Sequence, residues 1–525
     1  MPSRAPESSL PILKGWEGTP LTARRRSGTD SVWIMIDAIR QVLASADPES
    51  AKSALCKHWL RLIIESHTSE LEQLCLEFPD AHDPHILLIR ACCRDLAGDS
   101  YGAGFLRGQG LRVPSDDFVA CFTDLLLAPD APTKTAIADR AHRALAQCGP
   151  DDDYPSALFL LGWAEVRLRR DFARAIALLR SAAEEARLQD RPETQRLALS
   201  NLAFALTQAG LFTDAEHVLD GLPHTGISSD WDLFEGGLPE TSRGSIAYWR
   251  GDFDTAIRLL EPVITEGSPG HNFEAMARLY LVMSLIAVKR DGRYRDAEHL
   301  LRGISKTDKH GIPWSTLRRV VSAWLAHAEG KNEWARTLAA PALNRTGAAV
   351  AHALLAELYR VLGEPVLAGQ AFRLAAAAGM PRFALVSTLV TSAGLQSVAG
   401  HGVQAHEQLA RALETAASEQ ILAPFLTDDP VITDLLNAHT RVGPEQHEML
   451  RIILEKRSLH STALAGIFTA REKEVLTCLR TTMTADEIAA HLGIAYPTVK
   501  FHIQSIYRKL GVTTRRAAIR ATDSP

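Results

Sequence analysis

The sequence predicts an all-α protein: an α-solenoid of helical hairpins followed by a small four-helix head at the C-terminus. Three observations lead there. Apolar residues recur at three- and four-residue intervals, as in Ile36, Ile39, Val42 and Leu43, while strand-type alternation is scarce. A short pattern, Gly-x-aromatic-x-x-Ala, returns at a regular interval along the middle of the chain. The last stretch, from Phe468 onward, changes to short helices with strong start signals and a basic bias.

The chain has 525 residues, too many for one core, and its 46% apolar content is that of an ordinary globular protein. No apolar run approaches the ~20 residues that span a bilayer, so no membrane association is expected. Residues 1–30 lack the order of a signal peptide and are expected as a disordered leader. Arg24, Arg25 and Arg26 read as solvated tail charges, with a phosphate-gripping arm as the alternative. Seven cysteines (Cys56, Cys75, Cys92, Cys93, Cys121, Cys148 and Cys478) form no C-x-x-C pair and mostly have apolar neighbours. They read as buried, reduced thiols of a cytoplasmic protein, with a redox sensor as the alternative.

Residues 31–150 form a helical N-terminal region with breaks at Phe78-Pro79-Asp80 and Cys148-Gly149-Pro150. The repeats follow, over 151–439. The pattern is clear at Gly210–Ala215, Gly251–Ala256 and Gly292–Ala297, and returns at Arg170–Ala175 with the glycine lost. Weaker copies lie at Gly330…Ala335, Gly363…Ala368 and Gly400…Ala405, with a further candidate at Gly98…Ala103. From position 170 the steps are 40, 41, 41, 38, 33 and 37 residues. Glycine ends one helix in a left-handed cap, the aromatic anchors the turn, and alanine lets two helices approach closely. One hairpin cannot bury its apolar stripe alone, so hairpins stack. In this register the repeats resemble tetratricopeptide-like units at longer spacing than the usual 34. Trp163, Trp249, Trp324 and Tyr359 are expected in the core, with a ligand surface as the alternative. The polar stretch Asp220–Gly237 reads as an inter-repeat loop or a partner-facing insertion.

The repeats close with Leu409–Ala416, then Ala423-Pro424-Phe425-Leu426, then Leu435-Leu436. That order resembles the end of the sensor region in MalT-like LuxR regulators, which carry Arg where this chain has Ala423. Those proteins also begin with a P-loop ATPase, whereas no G-x-x-x-x-G-K-[ST] occurs in this sequence. Residues 440–466 are expected as a linker, helical around Glu448 to Leu454.

The head occupies 467–525. From Phe468 to Pro525 nine Lys/Arg face five acids, so the head carries +4 and the remainder of a chain of net −5 carries −9. A positive head on an acidic body fits one part meeting a polyanion. Thr469-Ala-Arg-Glu472 and Thr484-Ala-Asp-Glu487 are capping boxes. The second helix ends at Leu492-Gly493, and a third is expected from about Tyr496 to Leu510, which is helix-turn-helix geometry. At 100° per residue Val499, Ile503, Ile506 and Leu510 share the packed side. The other side carries Lys500, Phe501, Gln504, Ser505 and Arg508. Lys suits guanine acceptors, Gln suits adenine and an aromatic edge suits thymine methyls, so Lys500, Phe501 and Gln504 are the candidate base readers.

These residues resemble the LuxR-type helix-turn-helix. The resemblance runs through Thr469, Arg471-Glu472, Glu474-Val475-Leu476, Glu487-Ile488-Ala489, Leu492, Thr498-Val499-Lys500, His502, Ile506, Lys509-Leu510 and Arg516. It implies double-stranded DNA as partner, phosphate contacts from Thr498, Arg508 and Lys509, and pairing of two heads on DNA through the last helix, Thr514 to Thr522. RNA polymerase is a further implied partner. Two positions depart from the family pattern, Thr482 for Gly and Ala495 for the Ser that caps the third helix.

The function expected is a sequence-specific DNA-binding transcriptional regulator whose solenoid senses a small molecule or a protein. A protein-interaction scaffold with a vestigial head is the alternative. No nucleophile elbow, metal-ligand cluster or phosphate loop is present, so no catalytic residue, cofactor or metal is expected.

Overall fold

The computed structural model describes residues 28–522 except 46, 66, 81, 111–112, 115, 128–130, 148–152, 170, 223–233, 235–236, 266–271, 289–292, 305, 307–311, 378–379, 442–446, 466–467 and 511. The described residues are helical throughout, without strands. Arg24–Arg26, Cys148, Gly292 and most of Asp220–Gly237 lie outside them. The first helix starts at Gly28, so 28–30 belong to it rather than to the leader.

Contacts divide the chain into two compact units that part after Leu199. The first contains α1 (Gly28–Ala44), α2 (Pro48–Ile64), α3 (Thr68–Leu76), α4 (Pro84–Leu96), α5 (Ser100–Gly110), α6 (Phe118–Leu127), α7 (Ala131–Leu145), α8 (Tyr154–Leu168) and α9 (Phe172–Leu188). Short-range antiparallel pairs dominate: α4 with α5, α6 with α7, α8 with α9. Trp59, Phe122 and Phe159 are fully buried at its centre. Trp163 is also core, its ring covered by the Arg167 guanidinium at 3.7 Å and the Lys134 ammonium at 5.5 Å. Burial pushes Lys134 down to about 8 and Arg167 down to about 9. Cys75, Cys92, Cys93 and Cys121 are buried and Cys56 nearly so. Desolvation raises all five thiols, Cys56 and Cys92 to about 12, which makes them poor nucleophiles and favours packing over redox sensing.

Helix α10 (Pro192–Ala209) crosses into the second unit. There follow α11 (Phe212–Asp220), α12 (Leu238–Trp249), α13 (Phe253–Thr265), α14 (Asn272–Ala287), α15 (Tyr294–Arg302), α16 (Trp314–Ala328), α17 (Asn332–Ala339), α18 (Ala349–Val361), α19 (Pro365–Ala377), α20 (Arg382–Val398) and α21 (Gly402–Ala417). Helices α12/α13, α14/α15, α16/α17, α18/α19 and α20/α21 are hairpins, and each first helix packs on the next, α12 on α14, α14 on α16, α16 on α18, α18 on α20. This is the stacking that defines a solenoid. The repeat alanines Ala175, Ala215, Ala256, Ala297, Ala335, Ala368 and Ala405 are all fully buried, as close helix approach requires. Where the glycine is lost, the turn uses Arg169 in the left-handed conformation, φ 54°.

The hairpin stack bends until its end meets its beginning. Phe383 of α20 stacks on Trp249 of α12 at 4.5 Å and on Phe212 at 6.1 Å. The 3-10 turn Ala423–Phe425 seals the seam: the Leu422 amide donates to the Trp249 carbonyl at 2.8 Å, and Leu426 presses on Gly251. Glu419 accepts from the Thr213 amide at 2.8 Å. Of the aromatics expected in the core, Trp163, Trp249 and Tyr359 are buried, whereas Trp324 is half-buried and donates to the Leu354 carbonyl at 3.0 Å.

Beyond α22 (Pro430–His439), the region expected to be a linker is largely one helix, α23 (His447–Ala465). It is longer than its sequence signal because tertiary contacts stabilise it. Met449, Leu450 and Ile453 are buried, and the Lys456 ammonium donates to the Arg250 carbonyl at 2.7 Å. Arg457 donates to the Phe425 carbonyl at 2.5 Å and the Thr427 carbonyl at 2.7 Å, placing a guanidinium at the Pro-Phe turn.

Gly251 and Gly363 both have positive φ, 68° and 78°. A Cβ at Gly363 would meet open space, whereas at Gly251 it would collide with Leu426. Gly363→Ala is expected to cost about 1–2 kcal/mol from left-handed strain alone. Gly251→Ala should cost more, because Leu426 must also move. Urea unfolding of the two variants side by side checks the order.

Candidate DNA interface

The head consists of α24 (Ala470–Leu479), α25 (Ala485–Leu492), α26 (Tyr496–Leu510) and α27 (Arg515–Thr522). Both capping boxes form. Thr469 accepts from the Glu472 amide at 3.2 Å and Glu472 accepts from the Thr469 amide at 2.8 Å. Thr484 and Glu487 repeat the exchange at 3.3 and 2.7 Å. Gly493 closes α25 at φ 64°, so the chain reverses and α26 starts at an angle. Val475, Ile488, Val499, Ile506, Leu510 and Ala518 form the core, with Ile503 partly buried beside them.

Glu472 holds more of this domain than its sequence pattern reveals. Besides capping α24, it accepts from Ser505 Oγ at 2.7 Å and Lys509 Nζ at 2.6 Å, both on α26. Burial opposes its ionisation. The hydrogen bonds from Lys509, Ser505 and Thr469 outweigh that and hold its carboxyl at about 2. Arg515 is a second brace: it donates to the Leu479 carbonyl at 2.9 Å and the Thr481 carbonyl at 2.7 Å, satisfying carbonyls at and just beyond the end of α24. Arg471 ties α24 to the Leu492 carbonyl at 2.6 Å.

This bracing sorts the sequence-predicted residues. Thr498, Lys500, Phe501, Gln504 and Arg508 are exposed on one side of α26. Phe501 is 64% exposed, with its ring edge-on to His502 at 5.9 Å. The Lys500 ammonium lies over the Tyr496 ring at 5.0 Å. Two residues depart from expectation. Ser505 is buried at Glu472 instead of sharing the outer face, and Lys509 is committed to the same carboxylate rather than displayed for phosphate. Both lie at the boundary between helix faces, where angular position alone does not decide direction. Sequence reasoning missed Glu472 and Arg515 as braces; their partners are 33 to 37 residues away and leave no periodic signal.

Residues 466–522 match the family model described as bacterial regulatory proteins, luxR family. Three similar proteins illustrate the range. The transcriptional activator protein ExpR of Dickeya dadantii is 38% identical over 86 residues, 16% of this chain and 33% of that protein. The transcriptional activator protein EsaR of Pantoea stewartii subsp. stewartii is 48% identical over 63 residues, 12% and 25% of the two chains. A probable transcriptional regulatory protein, NarL of Mycobacterium tuberculosis strain H37Rv, is 32% identical over 124 residues, 22% and 55% of the two. The chain thus spans between a quarter and about half the length of these relatives. The head is a LuxR-family helix-turn-helix domain.

Glu472→Gln removes the charge that Lys509 and Ser505 hold, and should cost the head about 1–3 kcal/mol at neutral pH. Because the folded carboxyl titrates below its usual 4.5, its contribution is complete above about 4.5 and disappears as pH falls toward about 2. Hydrogen-exchange protection of α24 and α26, corrected for intrinsic rate, should differ between wild type and variant at pH 6 and converge in that acid window.

Proposed function

We propose that this chain is a sequence-specific DNA-binding transcriptional regulator in which the helical array, over 151–439, controls the head through the helix that joins them. The observation that carries the reading is the outer face of α26. Lys500, Phe501 and Gln504 stand exposed together on the second helix of a LuxR-family helix-turn-helix, with the packed face turned away. A large exposed aromatic between a cation and an amide has no packing role. In a major groove it meets thymine methyls while its neighbours meet base acceptors.

Lys500 and Gln504 read bases, and Thr498 and Arg508 grip phosphate. Lys509, bound to Glu472, sets the pitch of α26 instead of gripping phosphate. The head's excess of positive charge supplies the sequence-independent part of the affinity. Two heads pair through α27, and the DNA-bound protein contacts RNA polymerase. Control passes along α23, whose Lys456 and Arg457 are anchored to the seam of the array. A small molecule or protein that shifts the seam shifts that anchorage, and with it how often two heads are held at a spacing DNA accepts. The relatives named above as transcriptional activators support activation as the outcome.

In gel-shift titrations of the full chain, Lys500→Ala should lose about 1–3 kcal/mol at its target site, roughly 5- to 150-fold in affinity. Unchanged specific affinity overturns the assignment. Arg508→Ala should weaken target and non-target DNA alike and lower the slope of log affinity against log salt by about 1.

A further inference from the structure

Tyr496 opens α26 and stands one turn before Lys500, which stands one turn before Gln504. At 100° per residue the three form a single row along the helix, and all three are exposed. The recognition helix of a helix-turn-helix meets base edges with its N-terminal residues, so Tyr496 leads the part of α26 that faces the groove. Its ring is not among the side chains packed in the core of the head, where Val499 and Ile494 fill that end of the helix.

What the ring does touch is Lys500. Side chains on a helix lean toward its N-terminus, so the stem of Lys500 lies back over the preceding turn. Its ammonium reaches the Tyr496 ring, 5.0 Å from the centroid. Lys509, on the same helix, shows the alternative fate of a lysine. Its ammonium lies 2.6 Å from the Glu472 carboxylate, which takes up both its charge and a donor. A ring face takes up neither in full. It fixes the direction of an ammonium and leaves the net charge and most of the N–H donors to another acceptor.

We propose that Tyr496 is a positioning residue for DNA reading. Its ring holds the Lys500 ammonium on the N-terminal side of the row, aimed at the acceptors of one base pair and away from the position that Gln504 reads. A free lysine surrenders its rotamers when it meets a base, and a lysine already held by a ring surrenders fewer. The gain therefore falls at the base pair that Lys500 reads, and the charge that attracts any DNA is untouched. An exposed contact of this kind is worth about 2- to 5-fold in an equilibrium constant. The inference rests on α26 reading bases, and it names the residue that sharpens one of those contacts.

A duplex enriched from a random-sequence pool by the full chain, with its single-base-pair variants, supplies the probes for gel-shift titration. Lys500→Ala identifies the base pair at which discrimination is lost. Tyr496→Leu and Tyr496→Met, both without a ring, should lower discrimination at that same base pair about 2- to 5-fold. Affinity for non-target DNA and its salt slope should stay as in wild type. Tyr496→Phe keeps the ring and should keep wild-type discrimination. In the Lys500→Ala background the loss of the ring should have no further effect. The inference is overturned if the ring-free variants discriminate as wild type does, if they weaken target and non-target DNA alike, or if Tyr496→Phe loses as much as they do. Loss in Lys500→Ala without loss in the ring-free variants sinks the inference alone. A Lys500→Ala variant that discriminates every base pair as wild type does sinks base reading by Lys500 and the inference with it.

Discussion

Stacked hairpins each touch only their neighbours, so a repeat array left to itself is a one-dimensional object whose ends are independent. In this protein the seam changes that. Phe383 lies between Phe212 and Trp249, and the backbone of Leu422 pairs with that of Trp249. Aromatic pairs of this kind add about 0.5–1.5 kcal/mol each beyond their burial. The larger consequence is topological, because residues more than 130 positions apart become neighbours. Small rotations between hairpins, tolerated in an open array, must sum to a closed circuit. Gly251 shows how tight the fit is, since no side chain fits between it and Leu426.

The seam also organises what comes after it. The Pro-Phe turn that seals it is the feature that Arg457 grips, and Lys456 reaches the Arg250 carbonyl on its other side. Helix α23 is thus held by the two partners whose meeting closes the array.

In the head a different economy applies. One carboxylate, Glu472, satisfies the start of α24, a hydroxyl and an ammonium of α26. With the packing and the angle of α26 secured from within, the outer face need hold nothing together. Exposed Lys500, Phe501 and Gln504 add nothing evident to stability, and side chains kept in that state are available for another molecule.

Much of this was legible in the residues themselves. Both capping boxes, the Gly493 turn, the packed stripe Val499–Ile506–Leu510 and the repeat alanines all lie in local pattern, because hydrogen bonds over three residues and helical periodicity are set by nearby positions. The all-helical class and the LuxR-family head follow from those signals. What only the tertiary structure decided depends on distant partners. Lys509 and Ser505 turn inward because Glu472 waits 37 and 33 residues earlier, the expected linker becomes a helix because the seam supplies carbonyls for Lys456 and Arg457, and the array closes because Phe383 finds Trp249. The repeat pattern specifies each hairpin and its neighbour. It does not specify the angle between hairpins, and that angle, summed over the array, determines whether the ends meet.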